Sequence, residues 1–133
     1  DKESMPDQYK TVSLEEFVEY SKSMFAYWTE DDFASSFRKM LTIEQFRSEE
    51  MQGLYQQYLS SGPAAYVKDL FESMGIAHAE ENAVRFYATM YFYYSVYDGA
   101  DDKEKVKKEF ASAIGIMAQE WIKQPKLTQI RKS

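Results

Sequence analysis

Apolar side chains recur every three to four residues along most of the chain, and polar or glycine-containing breaks separate one run from the next. Such spacing places the apolar residues on one face of a helix. In the first run, Ser13 followed by Glu16 is typical of a capping box at a helix start. The run itself reaches about residue 28 and consists of Leu14, Phe17, Val18, Ser21, Met24, Phe25 and Trp28.

Further helix starts are predicted where a Ser or Thr precedes acidic residues. We expect N-caps at Thr29, Thr42 and Ser48, with the stretch 43–60 forming either one helix or a short helix followed by a longer one. Gly62 suits the position just past a helix end, and Pro63 suits the first turn of the next helix. Gly75 is predicted to end that next helix.

Two long helices close the chain, at about 79–98 and 102–123. No segment alternates polar and apolar residues for long enough to predict a strand. The sequence therefore predicts an all-α protein, an antiparallel bundle of six to seven helices. We expect one helical domain over residues 13–123, with a flexible segment at 1–12 and a polar tail at 124–133.

The helix at 79–98 carries large rings on more than one side. At 100° per residue, Ala83, Tyr87, Met90, Tyr94 and Tyr97 share one direction, which is an ordinary core face. Other apolar residues of this helix, Phe92 and Val96, point nearly opposite. Either the helix is covered on all sides within its own chain, or its second face contacts another copy, and the tyrosine content favours the second alternative.

Composition narrows the classes of function. The chain has 133 residues, no cysteine and a net charge of −6, so disulfides and zinc–thiolate sites are excluded, and an acidic chain does not attract nucleic acid. No apolar run is long enough for a membrane span, and no signal-peptide pattern is present. We expect a cytoplasmic protein without a membrane partner.

No pattern of catalysis emerges from the polar residues. The carboxylates cluster in the first turns of predicted helices, where they complement the helix dipole, and the single histidine, His78, falls in a turn. No phosphate-binding loop, zinc-binding helix or nucleophile motif is present. The sequence predicts no enzyme, no catalytic residues, no metal site and no cofactor.

The early helices carry more rings than their own packing requires, which suggests an apolar ligand cavity adapted by flexible methionines. Tyrosine hydroxyls and Gln56 are candidate polar groups, and no buried cation is evident on these faces. We therefore expect a neutral or weakly polar effector, ring-containing or lipid-like. The predicted lining residues are Met24, Trp28, Phe37, Tyr55, Tyr58, Phe71, Tyr87 and Tyr91.

The segments "LTIEQFRSEEMQGLYQQYLSSGPAAYVKDLFESMGI" (41–76) and "FYATMYFYYSVYDGADDKEKVKKEF" (86–110) resemble the C-terminal regulatory domain of TetR-type transcriptional regulators. The likeness extends over residues 13–123 and rests on helix order and ring placement. It implies a bundle around an effector pocket, and a homodimer whose last two helices pack against their copies. The ring-rich helices, not the resemblance, predict that the effector is small and hydrophobic or aromatic. The residues expected at the contact between the copies are Tyr93, Phe110, Ile114, Met117 and Trp121.

In that family an N-terminal helix-turn-helix module binds operator DNA, and effector binding changes the affinity of that module for the operator. No such module precedes residue 13 here, so the resemblance implies the sensing half of a repressor, with DNA contacted only through a missing module. The alternative is a dimeric helical interaction module that recognises a partner protein and has no small-molecule pocket.

Overall fold

The computed structural model describes residues 12–123, and this part of the chain is helical without any strand. The all-α class is confirmed. The predicted end segments fall almost entirely on residues 1–11 and 124–133, which lie outside the described residues. The helices are α1 (Leu14–Glu30), α2 (Asp32–Glu44), α3 (Glu49–Leu59), α4 (Ser61–Ser73), α5 (Ala79–Gly99) and α6 (Lys103–Lys123).

Helix α5 lies at the centre of the bundle, in contact with α1, α4 and α6, while α2 and α3 extend the bundle from α1 and α4. The core beside α5 is built of rings. Phe17 packs against Phe71, Phe86 and Trp121 at centroid distances of 5.1, 5.0 and 5.9 Å. A second core cluster, centred on the buried Leu41, Tyr55 and Leu59, joins α2 to α3. These two clusters fix the relative positions of the four helices that surround the site described below.

Two of the predicted helix starts are confirmed by their hydrogen bonds. Ser13 accepts from the Glu16 amide at 3.0 Å, and the Glu16 carboxylate accepts from the Ser13 amide at 3.1 Å, which completes the capping box. Ser48 accepts from the Met51 amide at 3.2 Å and caps α3.

The other two predicted caps are wrong. Thr29 is buried inside α1 and its hydroxyl donates to the Phe25 carbonyl at 2.7 Å, so the cap of α2 is Asp31 instead. Thr42 likewise donates to the Arg38 carbonyl at 2.8 Å within α2. Threonine can bond back to the carbonyl four residues earlier, and inside a helix that bond replaces capping.

The glycines behave differently from one another. Gly75 has φ +76° and follows the last turn of α4, where the Ile76 amide donates to the Phe71 carbonyl, as predicted for a helix-ending glycine. Gly62 does not end a helix, because α4 begins at Ser61 and includes it. A Cβ at Gly62 would lie 2.1 Å from the Gln57 carbonyl oxygen, so this glycine permits the close approach of α3 and α4.

The ring placement predicted for α5 is confirmed. Ala83, Tyr87, Met90, Tyr94 and Tyr97 are all buried, whereas Phe92, on the opposite side, is 60% exposed. The helix therefore has one core face and a second apolar face that the rest of the described chain leaves uncovered.

Candidate functional site

A cleft of about 250 Å³ lies between α1, α3, α4 and α5. We call it the tyrosine cleft. None of its lining residues carries a charge. They are Tyr20, Ser21, Met24, Trp28, Gln57, Tyr58, Gly62, Pro63, Tyr66, Val67, Phe86, Tyr87, Met90 and Tyr94.

The cleft has a buried floor and an exposed rim. Phe86, Tyr87, Met90 and Tyr94 of α5 are buried, together with Val67 of α4. The rings of Tyr20, Tyr58 and Tyr66, from three different helices, are 41–44% exposed. A concave, mostly apolar and aromatic lining with a few polar groups is typical of sites for small organic molecules.

Most polar groups deep in the cleft already bond to the backbone. The Tyr87 hydroxyl donates to the Leu59 carbonyl at 2.5 Å, and the Ser21 hydroxyl donates to the Phe17 carbonyl at 2.8 Å. Burial raises the pKa of Tyr87 and that of Tyr94 well above the ordinary value of 10. Both side chains are therefore uncharged at neutral pH, and the cleft presents hydroxyl groups but no formal charge.

A buried cation lies behind the floor of the cleft, contrary to the sequence-based expectation that none is evident. Arg38 is 5% exposed. Its guanidinium donates to both carboxylate oxygens of Asp98 at 2.9 and 2.8 Å and to the Trp28 carbonyl at 3.0 Å. It also lies 4.9 Å from the centroid of the Tyr94 ring. Because Arg38 does not line the cleft and is paired with Asp98, it offers no free charge to a ligand.

Half of the predicted lining residues reach the cleft, namely Met24, Trp28, Tyr58 and Tyr87. Tyr55 and Tyr91 are hydrogen-bonded to each other through their hydroxyls and line a neighbouring side groove between α3, α4 and α5. Burial and this hydrogen bond raise the pKa of Tyr55 to about 12.

The remaining two predicted lining residues need correction. Phe71 is fully buried and packs against Phe17 and Trp121, at 5.1 and 4.6 Å between ring centroids, so it belongs to the solid core. Phe37 packs edge-on against Tyr58 at 5.4 Å, outside the cleft. The predicted polar group Gln56 bonds to Gln52, and its neighbour Gln57 lines the cleft instead.

Several lining residues were missed by the sequence analysis. Met90 and Tyr94 share the predicted core face of α5 with Tyr87, so the helical period alone placed them beside a lining residue. Tyr20 and Tyr66 carried no such signal, because their place at the rim depends on how α1 and α4 pack together.

The predicted dimer-contact residues lie mostly inside the protomer. Phe110, Ile114 and Trp121 are at most 5% exposed and pack against α1, α4 and α5, so the prediction that they contact a partner is corrected. Tyr93 and Met117 are only partly buried. The uncovered surface of α5 and α6 is an outer groove lined by Phe92, Tyr93, Val96, Glu109, Ser112, Ala113 and Ile116.

Three large apolar side chains on and just after α2 are also exposed. Phe33, Ile43 and Phe46 are 73%, 75% and 84% exposed. Neither of the two core clusters includes them.

Two other kinds of site are absent from residues 12–123. No group of three or more acidic or histidine side chains is arranged to hold a metal ion. No helix in this range is both long enough and apolar enough to cross a membrane.

Comparison with known proteins identifies no relative: no family model, no curated protein and no solved structure matches the chain.

Proposed function

We propose that this chain is the effector-binding and dimerisation domain of a TetR-like transcriptional repressor. The observation that carries the proposal is the uncharged tyrosine cleft, whose floor is formed by α5. Sites for small organic molecules are typically apolar concavities with a few placed polar groups. The bound effector would be a small hydrophobic or aromatic compound.

The position of α5 supports a sensing role. Its buried face supplies Tyr87, Met90 and Tyr94 to the cleft, and its opposite face supplies Phe92 and Val96 to the outer groove. A ligand that favours one position of α5 would therefore also bias a contact made through the outer groove. In a homodimer, that contact would transmit the effector signal to operator-binding modules carried by each copy.

Thermal denaturation with a panel of uncharged ring compounds tests the part of the proposal that concerns ligand binding. A compound at 100 times its Kd should stabilise the domain by about 2.7 kcal/mol. Val67→Phe, which adds volume at a buried lining position, should weaken that stabilisation. The corresponding control is Ala113→Ser in the outer groove, which should leave it unchanged.

The regulatory half is tested by the coding sequence ahead of Asp1. We expect a three-helix DNA-binding module encoded there in frame. An in-frame partner of a different class, such as an enzyme domain, would count against the repressor assignment.

One observation favours a second candidate function, a dimeric helical module that binds a partner protein. It is the exposure of three large apolar side chains on and just after α2, Phe33, Ile43 and Phe46, since exposed apolar surface is a feature of interaction sites. The denaturation series separates the two candidates, because the interaction module predicts no stabilisation by any compound in the panel.

A further inference from the structure

One buried hydroxyl in the tyrosine cleft has no hydrogen-bond partner among residues 12–123. The side chain of Tyr94 is 4% exposed and lines the cleft, yet its hydroxyl makes no hydrogen bond within the part of the chain that the structure describes. No fully inaccessible side-chain nitrogen or oxygen there is without a partner, so this hydroxyl retains accessible surface. Because a buried polar group is normally satisfied, the Tyr94 hydroxyl is available to a molecule in the cleft.

The other deep hydroxyls cannot serve as donors in the same way. The Ser21 and Tyr87 hydroxyls each donate to a backbone carbonyl, and a hydroxyl has only one hydrogen to donate. They can only accept from a ligand. Tyr94 is thus the buried hydroxyl of the cleft whose hydrogen has no acceptor among the described residues.

The surroundings of Tyr94 hold its ring in place and keep its hydroxyl protonated. Its ring stacks on Phe25 at 5.6 Å with an interplanar angle of 10°. The Arg38 guanidinium lies 4.9 Å from its centroid. Burial raises the pKa of Tyr94 and Arg38 lowers it, with a net result above the ordinary value, so the hydroxyl keeps its proton at neutral pH.

The absence of charge in the lining and the volume of the cleft restrict the class of ligand further. No lining residue is charged, so neither a carboxylate nor a cation would find a counter-ion in the cleft. The volume of about 250 Å³ exceeds the roughly 150 Å³ of a cavity that holds benzene. It is below the roughly 300–1,000 Å³ of sites for drug-sized molecules. A compound of about two rings fits this range.

We propose that the tyrosine cleft recognises an uncharged, roughly two-ring compound bearing a carbonyl oxygen, which accepts a hydrogen bond from the Tyr94 hydroxyl. Tyr94 is then a specificity-determining residue for the effector. This inference rests on the proposed function, since it names the chemical class that the same cleft binds.

A matched pair of ligands and a matched pair of variants test the inference. 1-Tetralone and tetralin are bicyclic compounds that differ only in the carbonyl group. Tyr94→Phe removes only the hydroxyl and retains the ring that Phe25 and Arg38 contact. We expect Tyr94→Phe to weaken 1-tetralone binding roughly 3- to 10-fold, the range of one net hydrogen bond, and to leave tetralin binding within about 2-fold.

The control is Tyr93→Phe, on the outer-groove side of the same helix, which should change neither affinity. Infrared spectroscopy gives an independent readout. The carbonyl stretch of bound 1-tetralone should lie at lower frequency in the unaltered chain than in Tyr94→Phe. Calorimetric binding curves and circular dichroism of each variant establish affinity and fold.

The outcomes separate this inference from the function it rests on. If both ligands bind and Tyr94→Phe changes their affinities equally, or changes neither, the Tyr94 assignment is overturned while a ligand-binding cleft stands. If neither ligand nor any other uncharged ring compound binds the unaltered chain, the ligand-sensing function fails, and this inference fails with it.

Discussion

Arg38, in α2, contacts two other helices at once. It bonds to the Trp28 carbonyl in α1 and to Asp98 at the end of α5, and it faces the ring of Tyr94. Arg38 therefore links α2 to α1, which lines the cleft, and to the central helix α5. A buried guanidinium held by two carboxylate bonds is stabilising only while its partner is present.

Asp98→Asn should therefore destabilise the protein by about 2–3 kcal/mol, since it leaves the Arg38 charge buried with a neutral partner. A matched acid-to-amide change at an exposed pair, Glu19→Gln opposite Lys22, should cost less than about 0.5 kcal/mol. Urea denaturation measures both changes. Equal losses of stability from the two substitutions would mean that the Arg38–Asp98 pair stabilises the protein no more than an exposed ion pair does.

Buried tyrosines make the protein sensitive to high pH. Burial raises the pKa of Tyr55 to about 12 and shifts those of Tyr87 and Tyr94 upward as well. Between pH 10 and 12 these groups would ionise in the unfolded chain but stay protonated in the folded one, so the unfolded state is favoured as pH rises. Stability should be unaffected by them below about pH 9 and fall steeply above pH 10.

Circular dichroism and tyrosinate absorbance, recorded together against pH, check this expectation. The late-ionising tyrosines should titrate in the same transition in which helicity is lost. Ionisation of all tyrosines near pH 10 with helicity intact would show that these side chains are not buried.

Residue-level features were only partly predictable from sequence. Ser13 and Ser48 were placed correctly as caps, because polar residues there precede acids and an apolar run. Thr29 and Thr42 carry the same local signature but lie inside helices, where their hydroxyls bond to carbonyls of the preceding turn. The pairing of Arg38 with Asp98, sixty residues apart, leaves no local trace in the sequence.

At the scale of helices, the close approach of α3 and α4 depends on Gly62. A Cβ there would meet the backbone of Gln57, with its carbonyl oxygen at 2.1 Å and its carbonyl carbon at 2.8 Å. Backbone atoms cannot rotate away as a side chain can, so the two helices would have to separate. Because α3 and α4 both line the tyrosine cleft, such a shift would also alter its shape.

Gly62→Ala should consequently destabilise the protein by about 1–3 kcal/mol. Gly53→Ala, in the middle of α3 with no atom within 4 Å of the added Cβ, should stabilise it by about 0.5–1 kcal/mol through helix propensity. Thermal or urea denaturation of the pair gives the comparison. A neutral or stabilising Gly62→Ala would contradict the proposed contact between α3 and α4.

The helical period predicted which residues of α5 face the core, since that depends on one helix alone. It did not predict which faces of four helices would converge on a cleft. Phe71 and Tyr66 belong to the same helix and are both aromatic, yet one lies in the solid core and the other at the rim. Sequence periodicity assigns a residue to a face, and tertiary packing decides what that face meets.

At the scale of the whole molecule, the outer groove is the surface of α5 and α6 best placed to meet a second copy. Phe92 and Ile116 are 60% and 63% exposed there. The sequence predicts that Phe110, Ile114 and Trp121 on α6 contact the second copy. These three side chains are instead buried within a single chain. A helix between a core and a partner has two apolar faces, and its sequence does not show which face is buried in the core and which is free to contact a partner.

If the proposed dimer forms through the outer groove, Ile116→Glu should convert it to a monomer, because it would place two charges without counter-ions at a symmetric contact. Phe46→Glu, at an exposed apolar residue outside the groove, should leave the assembly unchanged. Light scattering at micromolar concentration measures the mass of each. A monomeric unaltered chain, or a dimer insensitive to Ile116→Glu, would remove the outer groove from the proposal.

The central claim, that the tyrosine cleft binds a small uncharged ring compound, is tested most directly by the fluorescence of Trp28. Trp28 lines the cleft, whereas Trp121, the other of the two tryptophans, is buried among core rings. In a Trp121→Phe variant, a binding compound should change Trp28 emission saturably. In a Trp28→Phe variant, the same titration should leave Trp121 emission nearly unchanged. No saturable change in Trp28 emission with any uncharged ring compound, while the protein stays folded, would contradict the account.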